Sequence, residues 1–136
     1  MKGSYILLIE LKKDGYIHFD KKHKTFFKKG FYIYVGSALN GLEQRIQRHL
    51  RSNKKKHWHI DYLLQSAKIT EVFYKESNDR EECKIARTLN KKLKTIPDFG
   101  CSDCKCKTHL FYGSKKEFDD MIKKLKMIFY EINANT

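Results

Sequence analysis

Residues 32–50 read YIYVGSALNGLEQRIQRHL, and within them the hydrophobic period of the chain changes. Tyr32, Tyr34 and Gly36 alternate with Ile33 and Val35 in a β-branched and aromatic segment, which is the pattern of a strand. Ser37, Asn40 and Gly41 interrupt it. Leu42, Ile46 and Leu50 then form one apolar stripe at ~100° per residue, so a helix follows. Arg45 and His49 lie at the edge of that stripe, whereas Gln44, Gln47, Arg48 and Arg51 fall on the far side, toward water. Two tyrosines on one strand face, followed at once by a helix leaning an arginine and a histidine toward the core, constrain fold and chemistry together.

On either side of this unit the chain alternates strands and helices irregularly. Residues 4–11 read as a strand with Tyr5, Leu7, Ile9 and Leu11 on one face and Ile6 and Leu8 on the other. Two apolar faces imply a central strand covered on both sides. Asp14-Gly15 is a turn signal that sends residues 16–19 back as a hairpin partner. Residues 21–24 form a basic loop, a short strand follows near residues 25–27, and Lys29-Gly30 turns the chain into the Tyr32 strand. Residues 68–75 (KITEVFYK) are a further strand, and residues 110–113 a short one. Ser114 and Glu117 have the spacing of a capping box and open a helix to about Asn133, packed through Phe118, Ile122, Leu125, Ile128 and Phe129.

Between residues 75 and 110 lie two clusters of chemistry-bearing residues. Asn78, with Glu81 three positions on, starts a helix from about Arg80 to Lys94 whose apolar stripe is Cys83, Ile85, Ala86, Leu89 and Leu93. Glu82 falls in the middle of that stripe. Glu81 lies ~100° away and suits a surface residue that complements the helix dipole. A carboxylate at the Glu82 position needs a cation, either a metal or Arg45. Downstream, Cys101, Cys104, Cys106 and His109 fall within nine residues in the spacing C-x2-C-x-C-x2-H, enough ligands for a closed zinc site. Cys83 joins them as a further ligand or a disulfide partner. Reduced thiols or a disulfide account for the same cysteines, and zinc is the less favoured of these readings.

The loop after the Leu50 helix carries Lys54, Lys55 and Lys56 beside His57-Trp58-His59. A positive run beside an aromatic suits phosphate contacts, and Arg48 on the water side of its helix joins that set. Trp58 itself reads as a core plug. His57, His59 and Asp61 do not make a metal triad, because a helix over residues 60–64 would splay Asp61 from His57. Charge supports the phosphate reading, with 29 Lys and Arg against 16 Asp and Glu, a formal +13. Such an excess, clustered locally, fits a polyanion partner better than a merely solubilising surface.

The ordered set Tyr34-Val35-Gly36, Asn40, Arg45 and His49 resembles the second signature of the GIY-YIG nuclease superfamily. The first signature would be Gly3-Ser4-Tyr5, with serine in place of the usual isoleucine. HWHIDYLL and FGCSDCKCKTHLFY extend the likeness, over nearly the whole chain, to a small, mostly archaeal branch of that superfamily. The resemblance implies an endonuclease in which Glu82 holds one Mg²⁺ or Mn²⁺ and Arg45 binds the scissile phosphate. Tyr5 and Tyr34, with His49 assisting, would position or deprotonate the attacking water. The long gap between Tyr5 and Tyr34 departs from the usual spacing and implies an added hairpin within the sheet. A non-catalytic nucleic-acid-binding module of the same fold, with zinc holding the cysteine loop, is the alternative.

A chain of 136 residues with 40% hydrophobic content supports one core, and a single proline with no linker leaves residues 1–136 as one domain. The expected class is α+β, an antiparallel-rich sheet flanked by helices. No run approaches ~20 apolar residues. The opening MKGSYILLIELKKDG carries Glu10 and lacks a cleavage site, so it reads as a strand and not a signal peptide. The expectation is a cytoplasmic protein without a membrane or an obligate protein partner, acting on nucleic acid, DNA before RNA.

Overall fold

In the computed structural model, residues 2–38, 40–56, 58–79, 81–96, 99 and 108–132 are described. Cys101, Cys104, Cys106, His57 and the expected helix limits Arg80 and Asn133 lie outside them. The fold is α+β. A six-stranded antiparallel sheet runs in the order β6-β7-β4-β1-β5-β8, comprising β6 (Lys94–Thr95), β7 (Leu110–Gly113), β4 (Gly30–Ala38), β1 (Gly3–Leu11), β5 (Lys68–Glu76) and β8 (Ile128–Tyr130). No described helix is long and apolar enough to cross a membrane.

The strand β1 is central because both its faces are apolar. Tyr5, Leu7, Ile9 and Leu11 enter one buried cluster, and Ile6 and Leu8 enter the other. β4 repeats the division, with Tyr32 and Tyr34 on the first side and Ile33 and Val35 on the second. The first cluster is covered by α1 (Leu42–Leu50) and α2 (His59–Leu63), through Leu42, Ile46, Ile60 and Leu63. The second is covered by α3 (Glu82–Asn90) and α4 (Lys115–Leu125), through Ile85, Ala86, Leu89, Phe118, Met121 and Ile122. β4 and β5 both run antiparallel to β1, so α1 and α2 carry the chain across β1 from one neighbour to the other.

Three local expectations are corrected. The early hairpin, β2 (Gly15–His18) with β3 (Lys24–Phe27), does not join the main sheet but forms a separate two-stranded one. Its Ile17 and Phe27 are buried in the first cluster, so it lies on that face as a cover. α3 starts with Glu81 at its N-cap and no side-chain cap bond, not with Asn78. The preceding turn is closed instead by Ser77, whose Oγ accepts from the Asp79 N–H. α4 stops at Leu125, where Lys126 takes a left-handed conformation with φ 56°. Ile128 and Phe129 then lie on β8, exposed, because the open edge of β5 takes three residues as a strand. The Ser114–Glu117 capping box forms as expected, each residue's side chain accepting the other's backbone N–H.

Candidate active site

Antiparallel pairing sets Tyr5 of β1 opposite Gly36 of β4. The Tyr5 ring lies directly over Gly36, where a Cβ would come within 2.4 Å of it. Only glycine at position 36 leaves the ring that path. The phenol reaches α1, and Tyr5 Oη shares a 2.7 Å hydrogen bond with Nε2 of His49. Tyr34, also on this face, has its ring centroid 6.1 Å from that of His49. The apolar stripe of α1 thus carries His49 inward to 2% exposure, as its place beside Ile46 implies.

Burial governs the protonation of this pair. It raises the Tyr5 hydroxyl well above its usual 10, with Tyr34 and Glu82 adding to the rise and Arg45 opposing it. It lowers His49 to about 3, helped by Lys54, Arg48 and Arg45 and opposed by Asp61. At neutral pH the site therefore holds a protonated phenol against an uncharged imidazole. Tyr34, Arg45 and Glu82 all act electrostatically on this one hydroxyl.

Arg45 is half-buried, donates from Nη1 to the Ser37 carbonyl at 3.3 Å, and holds its guanidinium 4.6 Å from the Trp58 ring centroid. Arg48 stacks on the same ring at 4.4 Å. Expected to face water, Arg48 instead donates from Nη1 and Nη2 to the two oxygens of Asp61, each at 3.0 Å, and from Nη2 to the Lys55 carbonyl at 2.9 Å. The reason is Asp61 itself, a fully buried carboxylate that also accepts from the Trp58 N–H at 3.0 Å. Trp58 is half-buried, a clamp for two arginines more than a core plug. Lys54 donates to the carbonyls of His49 at 2.6 Å and Arg48 at 3.3 Å, closing the end of α1, while Lys55 and Lys56 are exposed. A cavity of about 550 Å³ opens beside His49, rimmed by Arg51, Lys54, Lys56 and Lys68.

Glu82, in the first turn of α3, has a side chain 12% exposed, with Oε2 3.8 Å from Nδ1 of the buried His109. Burial lowers the His109 pKa, and the neighbouring Glu82 carboxylate opposes that shift. His109 Nε2 is 3.9 Å from Cys83 Sγ, which brings together the two described members of the expected cysteine cluster. Among the described residues no three His, Cys, Asp or Glu side chains converge as a cage. The Glu82 carboxylate suits instead an ion that keeps most of its water, as Mg²⁺ does. Three participants escaped the sequence reading: Gly36 as the bed for Tyr5, Asp61 as the anchor of Arg48, and His109 as the neighbour of Glu82. The Y-V-G string signalled the first, but nothing local signalled the other two.

No curated protein and no solved structure matches the chain. A family model described as Domain of unknown function DUF123 matches residues 4–131, from the residue before Tyr5 to the residue after β8. Apart from Gly3 at the start of β1, the sheet falls inside that match with both pairs of covering helices and every described site residue, and the chain belongs to the DUF123 family.

Proposed function

We propose that the protein is a divalent-metal-dependent endonuclease of the GIY-YIG kind, acting in the cytoplasm on phosphodiester bonds of nucleic acid, DNA before RNA. The observation that carries this reading is the Tyr5–His49 hydrogen bond beside Arg45 and Tyr34 at one end of the sheet. Hydrolysis of a phosphodiester needs an activated water, neutralisation at phosphorus and help for the leaving oxygen. Tyr5, held protonated with its hydroxyl fixed by the 2.7 Å bond to Nε2 of His49, orients the attacking water. Tyr34 orients the same water. Arg45 presents a planar fork to the scissile phosphate, with Trp58 fixing its orientation. Glu82 fits as the protein's ligand to one Mg²⁺ or Mn²⁺, which when bound would stabilise charge on the phosphate and the leaving oxygen.

The test is a nicking assay on supercoiled plasmid and branched substrates with Mg²⁺, Mn²⁺ or a chelator. Divalent-dependent nicking that Tyr5→Phe and Arg45→Ala each reduce at least about a hundredfold supports the reading. Nucleic-acid binding with no cleavage under any metal would leave a binding module of the same fold.

A further inference from the structure

The β2–β3 hairpin takes no part in the site above, and its two faces differ sharply. Ile17 and Phe27 are buried beneath it, whereas Tyr16, His18, Lys24 and Phe26 share the outer face and are exposed. A solvent-facing side of a hairpin ordinarily carries polar residues. Here Tyr16 is 58% exposed and Phe26 47%, and the two stand opposite each other in register. Their rings meet edge to face at 5.3 Å, and the Lys24 ammonium sits 4.7 Å from the Tyr16 ring centroid. Seven lysines lie between positions 12 and 29, all of them exposed. The two acids in that stretch are turned to local use. Asp14 accepts from the Lys29 N–H, and Asp20 accepts from the N–H groups of Lys22 and His23 and bonds the His23 ring. A cavity of about 340 Å³ adjoins the Tyr16 ring, with Lys12 and Lys13 in its wall. That volume falls within the range of ligand pockets, roughly 300–1,000 Å³.

We propose that this hairpin is a second nucleic-acid contact that takes unpaired nucleobases against Tyr16 and Phe26 while the surrounding lysines hold the phosphates of the same single-stranded segment. The proposal rests on nucleic acid being the substrate and adds that the substrate carries a single-stranded flank. Exposed aromatic rings stack on a base whatever its identity, but only on a base that is not already stacked within a duplex. Lysines around them neutralise the backbone. A second copy of this chain fits the face poorly, since docking would oppose two sets of seven lysines. An anionic membrane fits poorly too, because two rings do not make the broad apolar face that interfacial insertion uses. The hairpin covers the same side of the sheet as α1 and α2, at the Leu11 end of β1. Tyr5 is six residues back along that strand, about 20 Å at the rise of a β-strand, a span of a few nucleotides.

The experiment is fluorescence anisotropy on the full chain with a single-stranded oligonucleotide and with its duplex, comparing the unchanged protein with the double variant Tyr16→Ser/Phe26→Ser. Both side chains are exposed, so an unchanged melting temperature is the check on folding. Expected is a loss of single-strand affinity of about tenfold or more, against less than about twofold for duplex. Equal single-strand affinity overturns the proposal. So does a variant whose only change is lost self-association in sedimentation, or lost binding to phosphatidylserine vesicles. Hairpin-dependent single-strand binding without nicking by any preparation would keep this inference and sink the nuclease reading. Nicking with single-strand binding indifferent to the hairpin would do the reverse.

Discussion

Tyr5 Oη and His49 Nε2 share a 2.7 Å hydrogen bond between residues 1% and 2% exposed, so strand β1 and helix α1 are joined by a buried polar contact. This bond makes the fold and the candidate chemistry one object. The residue that covers the Tyr5 hydroxyl is also its hydrogen-bond partner, and stability should report on that residue's protonation.

His49 is held uncharged down to about pH 3 by burial and by Lys54. In the unfolded chain the same ring protonates near ~6.5. Between those values the unfolded state binds more protons, so the stability linked to His49 is complete above ~6.5 and is lost as pH falls toward 3. From pH 6.5 to 5, a window above most carboxylate titrations, the loss approaches about 2 kcal/mol. Urea melts of the unchanged protein and His49→Gln should show a shallower pH dependence in the variant. Parallel curves would mean that His49 does not carry the effect.

Arg48 and Asp61 should behave as one buried unit. Arg48→Ala leaves a carboxylate of 0% exposure without its fork and should cost about 3–5 kcal/mol. Replacing both residues together with apolar ones of similar volume should recover much of that loss, since paired removal leaves no stranded charge. Denaturant melts of the two singles and the double form the cycle. Additive losses would show that the fork contributes little.

The lysine run should divide by role. Lys55 and Lys56 are exposed, and Lys55→Ala/Lys56→Ala should flatten the salt dependence of nucleic-acid binding by roughly two units of slope. Lys54 caps the carbonyls of His49 and Arg48, so Lys54→Ala should lower the melting temperature. Anisotropy titrations across salt, beside thermal melts, separate the two. An unchanged slope in the double variant would confine those lysines to a solvated loop.

What could be read in advance was whatever a local period encodes. The alternation in β1 and β4 divided Tyr5 and Tyr34 from Ile6 and Val35, and the stripe of α1 turned His49 inward. Arg48 was misread because its direction is set by Asp61, thirteen residues on in another helix, and no helical period records that pull. The hairpin's turns were visible, but its choice of sheet depended on where Ile17 and Phe27 found apolar partners. β8 was absorbed into the preceding helix because Ile128 and Phe129 suit either period, and Lys126 ends α4 in a left-handed conformation without a glycine to mark it.

The adjacent carboxylates Glu81 and Glu82 give the sharpest separation of structure from chemistry. Glu81 occupies the N-cap position of α3 with Oε2 3.6 Å from Lys75 Nζ, a half-exposed ion pair at a helix start. Glu81→Gln should therefore remove a helix-terminus contribution of about 0.3–1 kcal/mol and leave cleavage intact. Glu82 is the less exposed of the two, lies 3.8 Å from Nδ1 of His109, and contributes to the charge felt by the Tyr5 hydroxyl. Glu82→Gln keeps the shape and removes the charge. It should abolish divalent-dependent nicking while single-strand and duplex affinities and the melting temperature stay close to those of the unchanged protein. If Glu82 serves the fold alone, the same change should lower the melting temperature and spare the rate. Equal activity in the two variants would falsify the metal assignment, whatever their stabilities.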